Sequence, residues 1–336
     1  REEKLAAFSY GFQMGLVLHS ELDAFIEEQF AVNTPEQMDK RQIDRLLEWL
    51  NEIGLPHKFL RYIPLDVAQG NKFTYVDYLQ VMMNSGEAKR ATRLLEANDV
   101  IFSRAERHLL LSITLGKQGT KRYSESNYEL GLAHARPGDL GIINYIFDQI
   151  PHTPRLTQSL QQWSSVPESS TLAKGLLLKI YYNQNDEEAL RALVEEMDVN
   201  DYRNAPEHLA NLVHMKILHK TDLEDCLSTM EQICSNNPDN PRDLLVLGLA
   251  YMVNNEPSKA LKTLEECQID YLYKSPANQA VAGVILDANN RTTDSRHFLK
   301  DLDPSRLIPP ERQLLSRIST PFLFKNSPYF QEIIQN

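Results

Sequence analysis

The sequence predicts an all-α protein, an α-solenoid of antiparallel helix hairpins with capping helices at both ends, and three observations carry that prediction. Apolar residues recur at helical spacing almost throughout the 336 residues, with no sustained alternating run of Val, Ile and Thr bounded by hairpin turns. Helix starts recur as a capping residue followed by proline, at Thr34-Pro35, Thr153-Pro154, Asn240-Pro241, Ser275-Pro276 and Ser327-Pro328. In such a pair the side chain meets an orphan amide N–H and the proline presets φ. The breaks between apolar stretches are short and polar, as in NSGE (84–87), RPGD (136–139), NQNDE (183–187) and NNEP (254–257), so consecutive helices must run antiparallel.

Taken in order, residues 1–70 hold two long amphipathic stretches, FQMGLVLHSELDAFIEEQF and DKRQIDRLLEWLNEIGL, expected to cover the first hairpin as an N-terminal cap. Residues 71–309 then read as about six degenerate hairpin units. Tyr75, Leu79, Met82, Gly86, Ala91 and Leu95 mark one; Leu130-Gly131, Gly138-Asp139, Ile143, Phe147 and Ile150 mark another. YYNQNDEEAL, from Tyr181 to Leu190, reads as the end of a first helix, a turn and the start of a second. Ala210, Val213, Ile217, Cys226, Met230 and Ile233 form the next unit. The clearest follows Pro238, with Leu244, Leu247-Gly248 and Tyr251 on its first helix and Ala260, Leu264 and Cys267 on its second. Gly283, Leu286, Ser295, Leu299 and Leu302 close the series. PERQLLSRIS and PYFQEIIQ, within 310–336, are expected to form C-terminal capping helices.

The Leu244 to Cys267 unit resembles the tetratricopeptide repeat (TPR), a helix-turn-helix of about 34 residues in which small residues let the two helices approach. The resemblance implies a right-handed superhelix over about two thirds of the chain, whose concave surface is lined by the first helix of each hairpin. The sequence departs from the family in having no Trp at the first large position, in His214 standing where Gly belongs, and in a shortened turn before Asp186. Carried over position by position, the groove falls on His208, Asn211, Met215 and His219 in one unit and on Arg242, Leu245, Leu249 and Met252 in the next; looser phasing adds Tyr128, Lys179, Tyr182 and Asn183. Aromatic, Met and polar groups together suit an extended peptide or an amphipathic helix. Family members that clamp a C-terminal carboxylate need Asn where Met215 and Leu249 stand, so that clamp is not expected. The competing reading makes Leu245, Leu249 and Met252 core residues of a superhelix that closes upon them.

Composition narrows the function further. A formal net charge of −11 repels a phosphate backbone, which argues against nucleic acid as a partner. The three cysteines, Cys226, Cys234 and Cys267, lack metal-site spacing and read as small core residues. GKQGTK (116–121) lacks the spacing of a phosphate-binding loop, and His208, His214 and His219 miss the i, i+4 step that puts two imidazoles on one helix face. The neighbouring carboxylates Glu195-Glu196 and Glu265-Glu266 point apart on a helix. No enzyme, cofactor or metal is therefore expected, and no apolar run is long enough to span a bilayer. The expectation is a non-catalytic scaffold or adaptor holding a protein or peptide partner, with self-association as a homodimer the alternative. Because the sequence opens at Arg1 rather than Met, it reads as a fragment or processed product, from the cytoplasm or from the soluble part of a protein anchored upstream.

Overall fold

A computed structural model describes residues 19–32, 34–97, 100–203 and 205–318, and within them every regular element is helical. The helix start expected at Ser327-Pro328 and the second C-terminal stretch lie outside the described residues. The chain divides into two compact units, Arg1–Arg155 and Leu156–Asn336, and the boundary falls inside the stretch that the sequence treats as one array.

The first unit contains α1 (His19–Val32), α2 (Lys40–Glu52), the short α3 (Phe59–Tyr62) and α4 (Leu65–Gln69), α5 (Lys72–Asn84), α6 (Ala88–Glu96), α7 (Arg104–Lys117), α8 (Lys121–His134) and the short α9 (Leu140–Tyr145). Helices α5 to α8 pack each against the next. The start of α7 is set by reciprocal capping, in which the Ser103 hydroxyl accepts from the Glu106 amide at 3.1 Å and the Glu106 carboxylate accepts from the Ser103 amide at 2.7 Å. The core between them is aromatic, with buried Tyr75 and Phe102 stacked at 5.4 Å.

Helix α10 (Pro154–Ser164) spans the boundary, and the second unit continues with α11 (Pro167–Gln184), α12 (Glu187–Glu196), α13 (Pro206–Leu218), α14 (Leu223–Asn236), α15 (Pro241–Val253), α16 (Pro257–Glu266), the short α17 (Ile269–Leu272), α18 (Pro276–Ala288), α19 (Thr292–Leu299) and α20 (Pro309–Leu315). Here α11/α12, α13/α14, α15/α16 and α18/α19 are four hairpins. Each first helix also packs on the first helix of the next hairpin, in the order α11, α13, α15, α18. Asn240 and Ser275 cap α15 and α18 through their side chains, as the proline pairs predict. Thr34 makes no such bond, although Pro35 does open a short 3₁₀ turn.

One turn recurs in both units. A residue with positive φ ends the first helix at Gly54, Gly86, Gly119, Asn185, Lys220, Asn255 and Asn290. The amide of the following residue reaches back five positions to the helix: Leu55 to Leu50 and Glu87 to Met82 at 2.8 Å, Thr120 to Leu115 at 3.1 Å, Asp186 to Tyr181 at 3.0 Å, and Thr221 to Lys216, Glu256 to Tyr251 and Arg291 to Leu286 at 2.9 Å. This Schellman arrangement satisfies carbonyls that the helix end would leave unpaired and reverses the chain in two or three residues. In the second unit the left-handed residues Asn185, Lys220, Asn255 and Asn290 are evenly spaced by 35 residues.

A close approach between the two helices recurs in three of the hairpins. A Cβ on Gly248 would sit 3.5 Å from the carbonyl oxygen of Ala260, as the small-residue spacing predicts. At the equivalent place in α18/α19 the Ser295 hydroxyl donates to the Gly283 carbonyl at 2.8 Å. In α7/α8 the Ser124 hydroxyl donates to Ser112 at 2.7 Å. That last pair corrects the register read from the sequence, which began a unit at Leu130-Gly131. The hairpin is α7/α8, and Gly131 lies on its second helix, where a Cβ would come within 2.8 Å of the Leu109 side chain.

Candidate binding surface on the first helices

The twelve residues expected to line a groove fall in both units. Tyr128 belongs to the first. It is buried on α8, with its hydroxyl 2.6 Å from the Pro151 carbonyl and 3.0 Å from the Thr153 hydroxyl, where it ties down the segment leading into α10. Beside it, α5, α7, α8 and the 148–153 segment enclose a cleft of about 800 Å³ lined by Gln80, Ser112, Ser124, Glu129 and Thr153 among others.

The remaining eleven lie on α11, α13 and α15, or cap them, all in the second unit. His208 is fully buried, because α11 passes so closely that a Cβ on Gly175 would lie 2.5 Å from its Nδ1. Met215 is 4 % exposed, and Leu245 and Leu249, two of the positions that the competing reading assigns to the core, are 5 % and 1 % exposed. Met252, grouped with them in that reading, keeps partial exposure. Asn211, His219, Arg242, Lys179 and Tyr182 are also half-buried, and Asn183 is exposed. The side chains of this face open to a partner are therefore the ones near the C-terminal ends of the helices, together with Asn211 and Arg242.

Electrostatics follow from the packing. Burial, with the Arg242 charge adding to it, holds His214 down to about 4, so its imidazole is neutral at physiological pH. Burial also lowers His219. The buried Lys216 ammonium is matched by Asp222, 2.7 Å away in the turn to α14. Cys226 and Cys234 are buried and Cys267 half-buried; burial pushes the first two thiols up to about 12 and the third to about 11, far from a reactive thiolate.

One residue of this surface has a partner that the sequence did not suggest. The Tyr182 hydroxyl, at the end of α11, donates to Glu311 Oε1 of α20 at 2.8 Å. Glu311 is 1 % exposed, and its other oxygen accepts from the Ile308 amide at 3.1 Å. Burial, which outweighs the lowering effect of these hydrogen bonds and of Arg312, raises the Glu311 carboxyl to about 7. Helix α20 packs on α18 and shares a cavity of about 200 Å³ with Ile217 and Leu218 at the end of α13 and Val253 at the end of α15. It therefore lies at the C-terminal ends of α11, α13 and α15 and against α18. In the sequence its signal was slight, a single carboxylate behind two prolines in an apolar segment.

Among the described residues no group of three or more His, Cys, Asp and Glu side chains could hold a metal ion, and no helix is long and apolar enough to cross a membrane. No family model, curated protein or solved structure matches the chain.

Proposed function

We propose that this protein is a non-catalytic scaffold or adaptor, a TPR-like solenoid that holds a peptide or helix of a partner on the first helices of its hairpins. The observation that supports the reading most directly is the succession α11, α13, α15, α18. Four first helices pack side by side with the same turn after each, so that equivalent side chains recur along one face. On that face Asn183, His219 and Met252, with half-buried Asn211 and Arg242, are the side chains that a partner could reach, a mixture of polar, basic and thioether groups able to grip a helix.

The test is capture of the protein's partner from its native cell by the full chain and by two variants, His219→Glu and Met252→Asp. A charge placed in an apolar contact removes a hot-spot contribution of about 2 kcal/mol and leaves the ion desolvated. Loss of a partner from both variants with unchanged thermal melts supports the reading. Retention of the partner by both removes this face from consideration. Self-association is the second reading, supported by the exposed Ile269 and by Tyr273, which stacks on Phe298 at the last hairpin. Sedimentation of the full chain as a dimer that Ile269→Asp converts to monomer would favour it.

A further inference from the structure

Helix α20 has the features of a bound ligand. It is seven residues long, too short to persist alone in water, and it depends on the surface it covers. Much of its polar chemistry is satisfied from within its own segment. Glu311 takes the Ile308 amide, the Arg312 amide reaches the Ile308 carbonyl, and the buried Arg312 guanidinium donates to the Leu307 carbonyl. Toward the hairpins it presents Pro310, Leu314 and Leu315, all buried, and one acid held by Tyr182. A cavity of about 200 Å³, edged by Lys220, Gln313 and Arg317, opens between this helix and the ends of α13 and α15.

We infer that the surface formed by the C-terminal ends of α11, α13 and α15 together with α18 is a recognition site for a short helix, that residues 307–318 are its resident intramolecular ligand, and that a partner helix carrying the same pattern binds by displacing them. The pattern is proline at the first turn, a carboxylate at the third helical position for Tyr182, and a leucine pair three and four residues later. Tethering gives the resident helix a high effective concentration, so the unmodified chain masks its own site and an external helix pays a competition factor. The inference deepens the scaffold reading by naming the partner's chemistry.

The probe is a fluorescent synthetic peptide with the sequence of residues 307–318, titrated against the full chain, against Glu311→Lys, and against Glu311→Lys combined with Tyr182→Phe. Lysine in the desolvated place of Glu311 evicts α20 from its seat, while the peptide keeps the glutamate. The expected result is at least tenfold tighter peptide binding by Glu311→Lys than by the unmodified chain, and a loss of about tenfold when Tyr182→Phe removes the hydroxyl that reads the carboxylate. Equal or absent binding by all three proteins, with their melts alike, overturns the inference. Should Glu311→Lys fail to fold, the single variant Tyr182→Phe decides by hydrogen exchange. Faster exchange confined to residues 307–318 supports a displaceable helix, whereas faster exchange that extends equally through α18, or none at all, makes α20 an integral part of the core. Peptide binding requires no cellular partner, so it can succeed while the capture experiment fails, or fail while capture succeeds.

Discussion

At the residue scale, the positions shared between a groove and a core separate by burial. Met215 and Leu249 are too enclosed for a partner to reach, so Met215→Asp and Leu249→Asp should each lower stability by several kcal/mol, on the order of 3 or more, through an unpaired buried carboxylate. Thermal melts will show it, and an unchanged melt would return these side chains to the surface. Glu311 makes a pH-dependent contribution of predictable sign. Its folded carboxyl lies near 7 against an ordinary 4.5, so the neutral form is favoured in the folded chain. The stability it contributes is complete below the unfolded value and is lost as pH rises through the folded one. Relative to Glu311→Gln, the unmodified chain should therefore weaken between about pH 5 and about pH 8, by on the order of 3 kcal/mol. Denaturant melts of the two proteins across that range check it; parallel curves would mean that Glu311 is ionised at no cost.

At the scale of the element, the hairpin turn is the unit of construction. Six of its seven left-handed positions carry Gly or Asn, residues that accept positive φ at little cost, and Lys220 is the exception at φ 59°. Lys220→Gly should raise stability by about 0.5–1 kcal/mol, read as a higher melting temperature, because relief of the strained backbone exceeds the entropy that glycine adds to the unfolded chain. The helix crossing makes the opposite demand. Ala260→Leu should overpack α15 against α16 and destabilise by about 1–3 kcal/mol, measured by the same melts. The hairpins were legible in the sequence because their determinants are local: a polar turn, a proline at the first helical position, and small residues twelve apart. Misreading Gly131 has a local cause as well. Serine at positions 112 and 124 does the work that glycine and alanine do in the later hairpin, while Gly131 solves a separate close approach to Leu109. Burial of His208 could not be read, since it depends on Gly175 of the preceding hairpin. The Tyr182–Glu311 bond joins residues 129 positions apart, with nothing nearby in sequence to announce either partner.

At the scale of the whole molecule, each unit builds its interior from neighbouring hairpins, so stability should be carried by the interfaces between adjacent pairs more than by any one centre. The even turn spacing in the second unit makes this testable by excision. Removing residues 221–255 joins Lys220 to Glu256, two equivalent points of the turn, and deletes one helix pair's worth of chain without disturbing the pattern on either side. The shortened chain should keep a predominantly helical circular dichroism spectrum. It should also lose protection from hydrogen exchange in 309–315, because α20 meets the ends of α11, α13 and α15 while packing on α18. That segment therefore acts as a ruler. Helix pairs joined only to their neighbours could be added or removed with the remaining contacts unchanged, but here α20 reaches back to α11, so a change in their number would be felt at that contact. The bond between Tyr182 and Glu311 thus couples the number of helix pairs between them to the seating of α20.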